Sequence, residues 1–290
     1  MPNQISIIAT GLSGLIGSRF QQLLQDKYSF TNLDITTGVD ITNEVAVKKA
    51  IGESGGDVVL HLAAYTDVAK AHQQNGDKNG LCYKVNVVGT RNVAQYCSRF
   101  GKYLVHISTD FVFDGKKSES YTEEDSPRPI DWYGTTKFLA EQEVQKAGDN
   151  HVILRIAFPY QKTPIRPDLV SKIINQFTEN TLPPQFADNA ITPTFVDDLS
   201  QIFDYCITHK PKGLYHATGS SWHSSYEIAQ IVKETFNLNG EIKKTTVDAF
   251  TQSTGRPFPK SLKMNNQKLT QAFSISLKTF PQGLEQIASS

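Results

Sequence analysis

An apolar segment, Ile5–Ile8, runs straight into Ala9-Thr10-Gly11-Leu12-Ser13-Gly14-Leu15-Ile16-Gly17, and this junction constrains the fold more than any other stretch. A strand that stops at a glycine turn and restarts as a helix leaves backbone N–H groups pointing outward. Those donors and the positive end of the helix dipole together suit a pyrophosphate. The three glycines divide the work: a tight turn, close backbone approach to the phosphates, and close packing of helix on strand. Glycine turns that bind nothing are common, so the motif alone leaves a purely structural turn open.

The first half continues the same alternation. Strands are expected at Gln4–Ala9, Ser29–Leu33, Asp57–Leu62, Tyr103–Ser108 and Val152–Ile156, with helices at Gly14–Gln25, Asn43–Ile51, Leu81–Phe100 and Tyr133–Ala147. Strands separated by helices predict parallel βαβ units. Most of these strands are apolar on both faces, as helices covering both sides require. Thr42 or Asn43 suits the N-cap of the second helix. After Tyr160, prolines at 164, 167, 183, 184 and 193 break the regularity. Helices are expected there at Leu169–Glu179, Val196–Thr208 and from a Ser224 or Ser225 cap to about Phe236. A short strand is expected at Leu214–Ala217, and the tail from Arg256 reads as loop, then two short helices. The expected class is α/β: a Rossmann-type doubly wound parallel sheet over 1–160 plus about 191–218. A smaller, mostly helical lobe over 161–190 and 219–290 would face the carboxyl ends of its strands, where ligands of open α/β sheets bind.

The 290 residues carry 29 basic and 29 acidic side chains, and no basic block suggests a nucleic-acid partner. The apolar stretches are too short to span a bilayer, and Asn3-Gln4 leads straight into a strand, so neither anchor nor leader is expected. Cys82, Cys97 and Cys206 are scattered and fit packing rather than metal or redox work. A cytoplasmic protein is expected.

Asp34 closes the second strand, where a carboxylate accepts hydrogen bonds from both adenosine ribose hydroxyls. It would repel a 2′-phosphate, and Ile35 and Thr36 offer no arginine to hold one, which favours NAD(H) over NADP(H). Further on, Tyr133 and Lys137 stand four apart, on one face of a helix. A phenol with a pKa near ~10 exchanges protons poorly at neutral pH, and a neighbouring ammonium stabilises its phenolate. At the fourth strand's end, a hydroxyl of Ser108-Thr109-Asp110 can meet a substrate carbonyl beside Tyr133.

Thr10-Gly11-x-x-Gly14-x-x-Gly17, Ala63-Ala64-Tyr65-Thr66, Asn86, Ser108-Thr109-Asp110 and Tyr133/Lys137 together resemble the extended short-chain dehydrogenase/reductases. The strings Leu33–Thr42, Ser108–Gly115 and Pro193–Ser200 are similar to the dTDP-4-dehydrorhamnose reductase family, with the likeness strong through residue 200. The resemblance implies NAD(P)H-dependent reduction of a 4-keto-6-deoxysugar carried on a nucleotide. It implies Tyr133 as proton donor, Lys137 tuning that phenol and holding the ribose, and Thr109 orienting the carbonyl. Gly11, Gly14, Leu15 and Ile16 would hold the pyrophosphate, Asp34 the ribose, and Asp40 and Ile41 the adenine. Ala63, Ala64 and Tyr65 would line the cofactor cleft, with Asn86 supporting the site. Asp110, Phe111, Phe158 and Arg256 would join Thr109 on the substrate side. The resemblance also admits a homodimer; Glu285, the only acidic residue after Asp248, receives no metal.

Dehydratases similar to this family carry Thr-Asp-Glu, but here Phe111 follows Thr109-Asp110, and an aromatic ring cannot abstract a proton. Ala69 and His72 stand where the reductases show Asp and Glu, and Phe158 where they show Trp, all on the substrate side. Those departures keep two alternatives in view. One is a regulatory subunit of the methionine adenosyltransferase type; the other is a reductase or epimerase of another nucleotide sugar. His61 and His106 read as core groups, Trp222 and His223 as loop or sugar contacts, and Arg155 and Arg256 as phosphate ligands.

Overall fold

The computed structural model describes residues 4–289, so the ends of the expected spans at 1–3 and 290 lie outside the described residues. Its frame is one six-stranded parallel sheet: β1 (Ile5–Thr10), β2 (Tyr28–Leu33), β3 (Val58–His61), β4 (Tyr103–Thr109), β5 (His151–Ile156) and β6 (Gly213–His216). The spatial order is β2-β1-β3-β4-β5-β6. Order reverses at β1, which has β2 on one side and β3 on the other. That reversal parts the connecting loops at the carboxyl ends of β1 and β3 and opens a crevice there.

Successive side chains along a strand face opposite sides, and the sheet's two cores follow that period. Ile7, Ala9, Val58, Leu60, Val105 and Leu154 pack with Phe20, Leu199 and Phe203 on one face. Ile8, Val59, Leu104 and Ile153 pack with Val47, Ile51, Val93 and Tyr96 on the other. The first face is covered by helices Leu15–Leu24 and Val196–His209; the second by Glu44–Glu53, Thr90–Arg99 and Trp132–Lys146.

Local chemistry sets the helix starts. The Asn43 side chain accepts the Ala46 N–H at 3.1 Å. Ser224 and Glu227 form a reciprocal capping box for Ser225–Thr235. Two short helices escape periodicity, Val68–His72 capped by Asp67 and Val247–Thr254 capped by Thr246. The helix expected over Leu81–Phe100 is interrupted by a π-helical turn, Lys84–Gly89. In the second half, Tyr160, Ile173, Phe177, Ile228 and Phe280 form a separate core. Leu269, Phe273 and Leu277 of the tail instead join the core of the sheet.

Candidate active site

A cleft of about 620 Å³ opens at the carboxyl ends of the strands. Gly11 makes its first wall with φ +68°, and a Cβ there would stand 2.5 Å from the Ala63 backbone nitrogen. The turn thus needs a residue with no side chain, on both conformational and steric grounds. Gly14 is the N-cap of Leu15–Leu24 with extended backbone, and among the described residues no side chain caps it. The first N–H groups of a ten-residue helix therefore face the cleft with no built-in acceptor. Asp34 stands beside them, its Oδ2 accepting the Ser13 N–H at 3.2 Å. An uncapped helix start, a glycine cradle with no room for a side chain and a carboxylate at the end of β2 fit a dinucleotide.

Leu15, Ile16, Asp40, Ile41, Ala63 and Ala64 also line this cleft. Tyr65 does not. Its ring packs with Ala71, Cys82 and Trp132, and its hydroxyl accepts from Gln74 at 3.2 Å. The backbone explains the turn away: Asn86 accepts the Tyr65 N–H at 2.8 Å and donates to the Tyr65 carbonyl at 3.1 Å. The same amide donates to the Thr136 hydroxyl at 3.0 Å, so Asn86 ties the β3 loop to the helix Trp132–Lys146. It stands in the π-helical turn, a feature that recurs at functional sites.

That helix starts at Asp131, whose Oδ1 accepts the Gly134 N–H at 2.6 Å. A Cβ on Gly134 would lie 2.1 Å from the Phe111 carbonyl oxygen, so glycine lets the helix start press against the strand end. This close approach puts Tyr133 against Thr109 and Phe111. The Phe111 and Tyr133 rings meet edge to face at 5.9 Å. Burial pushes the Tyr133 phenol above its ordinary value; the Thr109 hydroxyl bonded to it pulls the other way, and Asp110, Asp131 and Cys82 push it further up. The expected downward tuning by Lys137 is not what dominates here. Lys137 is 3% exposed, donates to the Ile107 carbonyl at 2.6 Å, and is pulled down to about 8 by burial against the opposing effect of Glu141.

Of the two candidate hydroxyls, Ser108 is committed: it donates to Glu141 Oε1 at 2.5 Å. Thr109 lines the cleft and donates to Asp110 Oδ1 at 3.0 Å. Asp110 is buried, its Oδ2 has no partner among the described residues, and burial raises its carboxyl to about 7. Arg155 is corrected from the expected phosphate ligand. It lies 2% exposed in β5, its Nε and Nη2 donate to Glu141 at 2.9 and 2.8 Å, and its guanidinium stacks on Phe113. A cation so enclosed cannot meet a ligand.

On the substrate side, Phe111 and Phe158 line the cleft with ring centroids 5.9 Å apart. Phe158 adopts φ +41°, a left-handed conformation that non-glycine residues hold only under constraint. Its carbonyl accepts the Thr194 N–H at 3.3 Å, and the Thr194 hydroxyl donates to Ala157 at 2.7 Å. Arg256 lines a neighbouring cleft instead, with Phe186, Thr245 and Phe250. Trp222 is exposed, with the Lys263 ammonium 4.1 Å from its ring. His61 and His106 are core groups: His61 bridges the Thr10 and Thr90 hydroxyls, and burial holds both imidazoles neutral.

A family profile described as the RmlD substrate binding domain matches residues 5–290. A dTDP-4-dehydrorhamnose reductase from Streptomyces griseus is 30% identical over 263 residues, 86% of this chain and 83% of that protein. The crystal structure of a dTDP-4-dehydrorhamnose reductase from Bacillus anthracis in complex with NADP superposes with a TM-score of 0.90 at 28% identity. It covers 98% of this chain and 99% of the other. Methionine adenosyltransferase 2 subunit beta from Xenopus laevis is 25% identical over 274 residues, 89% of this chain and 80% of that protein.

Proposed function

This chain belongs to the RmlD substrate binding domain family, and from that premise we propose that it is an NAD(P)H-dependent dTDP-4-dehydrorhamnose reductase. The observation that carries the reading is the convergence of Thr109, Tyr133 and Lys137 on the cleft that the uncapped glycine turn opens. The reductases match this chain at higher identity than the methionine adenosyltransferase subunit does, which favours catalysis over regulation. The helical lobe built on Tyr160, Ile173, Phe177 and Ile228 binds the sugar nucleotide, with Phe158 on that side of the cleft.

A reduced nicotinamide bound in this cleft would supply the hydride that the sugar carbonyl carbon accepts. Thr109 turns its hydroxyl from Asp110 to the carbonyl oxygen, and Tyr133 gives that oxygen a proton. The Lys137 ammonium lies one helical turn away and stabilises the phenolate that Tyr133 leaves behind. Phe111 supplies an apolar wall and no base, so the site reduces without eliminating water. Gly11, Gly14, Leu15 and Ile16 would hold the pyrophosphate, Asp34 the adenosine ribose, and Asp40, Ile41, Ala63 and Ala64 would form the rest of the adenosine wall.

The test is cofactor oxidation by the purified protein with dTDP-4-dehydrorhamnose, beside the UDP-, GDP- and CDP-linked analogues. Turnover of the dTDP sugar with a lower KM for NADH than for NADPH is expected, since Asp34 repels a 2′-phosphate. Silence with every sugar would sink the reading; an NADPH preference would sink only the role given to Asp34.

The pH profile tests Lys137. Its pKa is depressed to about 8, so the ammonium is present below that pH and lost above it. The expected kcat/KM therefore declines as pH rises through about 8, not near ~10.4 as for an ordinary lysine. A profile flat to about pH 10 would remove Lys137 from the proton chemistry.

A further inference from the structure

We infer that Arg166, at the tip of a strap over 162–167, grips a phosphate of the bound dinucleotide; this rests on the cofactor reading above. The strap's two ends are fastened at one point. Asp168 Oδ2 accepts the Gln161 N–H at 2.8 Å, while its Oδ1 accepts the N–H and hydroxyl of Ser171. Gln161 also donates its side-chain amide to the Leu15 carbonyl at 3.1 Å, which bolts the strap's base to the first turn of the glycine-loop helix. The tip reaches the opposite wall, where both Arg166 terminal nitrogens lie 3.4 Å from the Thr66 hydroxyl. Gln161 and Asp168 are buried and the residues between them mostly exposed, so the strap arches over the cleft on two fixed feet. Pro164 and Pro167 stiffen it.

Charge decides what the tip is for. Among the described residues, the side chains lining the cleft include three carboxylates, Asp34, Asp40 and Asp110, and two cations, Lys137 and Arg166. Lys137 is buried and held on the Ile107 carbonyl beside Tyr133. Arg166 is exposed, and its guanidinium meets a neutral hydroxyl, that of Thr66, at the outer limit of a hydrogen bond. A doubly charged pyrophosphate held on the N–H groups of the glycine turn is bound more tightly when a cation also reaches it, and more so beside the cleft's carboxylates. A guanidinium meets phosphate through two parallel donors, a far stronger pair than the long contact with Thr66. Ile165, exposed beside it and also lining the cleft, would be covered as the strap settles.

The phosphate could also come from the sugar nucleotide, so the experiment separates the two sources. NADH and dTDP are titrated separately against wild type, Arg166→Ala and Arg166→Lys, with circular dichroism confirming each fold. The expected result is an NADH Kd raised about tenfold in Arg166→Ala and less in Arg166→Lys, with dTDP affinity within about twofold of wild type. An unchanged NADH Kd in Arg166→Ala would overturn the assignment, as would a loss confined to dTDP. A wild-type protein that binds neither NADH nor NADPH would overturn the cofactor reading itself, and the strap's role with it.

Discussion

Tyr133→Phe should lower kcat by about 10³-fold while leaving the Kd for NADH within about twofold of wild type. The substitution removes one oxygen and keeps the ring against Phe111, so the aromatic wall persists. What disappears is the proton donor. Thr109 cannot replace it, because an aliphatic hydroxyl gives up its proton far less readily than a phenol. Asp110 accepts from the Thr109 hydroxyl and can stand in as an acid, with its carboxyl raised to about 7 and one oxygen unpartnered among the described residues. Any residual turnover in Tyr133→Phe should therefore fade as pH rises through about 7, and the double variant with Asp110→Asn should lose it. Steady-state kinetics with a fluorescence titration of NADH decides the matter. A variant retaining more than about a tenth of wild-type kcat would show that Tyr133 is not the donor.

Glu141→Gln should lower stability by about 3 kcal/mol, reading as a Tm fall of roughly 6–12 °C. Glu141 and Arg155 are 2% and 3% exposed at their side chains, joined by two hydrogen bonds, with Ser108 donating to the same carboxylate. The amide keeps the shape but puts an NH2 where Arg155 Nη2 needs an acceptor, and it strands a buried guanidinium without its counter-charge. The same change removes the carboxylate that opposes the depression of Lys137, so the alkaline limb of kcat/KM should move below about 8. The contrast is Lys146 with Glu143, where the lysine is 68% exposed. Lys146→Ala should stay within about 0.5 kcal/mol of wild type, as surface pairs do. Scanning calorimetry of both variants is the measurement. Equal Tm values for Glu141→Gln and wild type would show that the buried pair contributes nothing net.

The parts of this molecule that were legible beforehand are those where local chemistry and tertiary demand agree. β1, β3, β4 and β5 announce themselves because burial on both faces leaves them mostly apolar, while β2 and the last strand are half-buried and show mainly by their place in the alternation. Asn43 and Ser224 were readable because a capping side chain bonds within its own turn. Gly11, Thr109, Tyr133 and Lys137 line one cleft, and their residue types and spacing point there because the chemistry proposed for them fixes both together. Arg155 was misread because a strand-end arginine looks the same whether its partner is a ligand or a buried glutamate from another element. Tyr65 turns from the cleft because Asn86, distant in sequence, fixes its backbone. Arg166 gave no local signal at all: its place at the cleft depends on the fastening of Gln161 to Asp168 and Leu15. The π-helical turn is invisible to a 3.6-residue period, which it locally breaks.

The place of β6 bears on how the chain assembles. β5 ends at Ile156, yet its outer neighbour begins only at Gly213, after the whole of 157–212 has been laid down. Until then the outer edge of β5 presents unpaired backbone donors and acceptors, a template for any other extended chain. Those intervening residues include Phe195 and Ile173 of the separate core in the second half, which itself closes only with Phe280 near the far end. Neither half can finish before the other is present. Emergence from the ribosome thus leaves a vulnerable interval, and a nascent chain halted inside 157–212 would carry a nearly complete cofactor cleft on a sheet still open to aggregation.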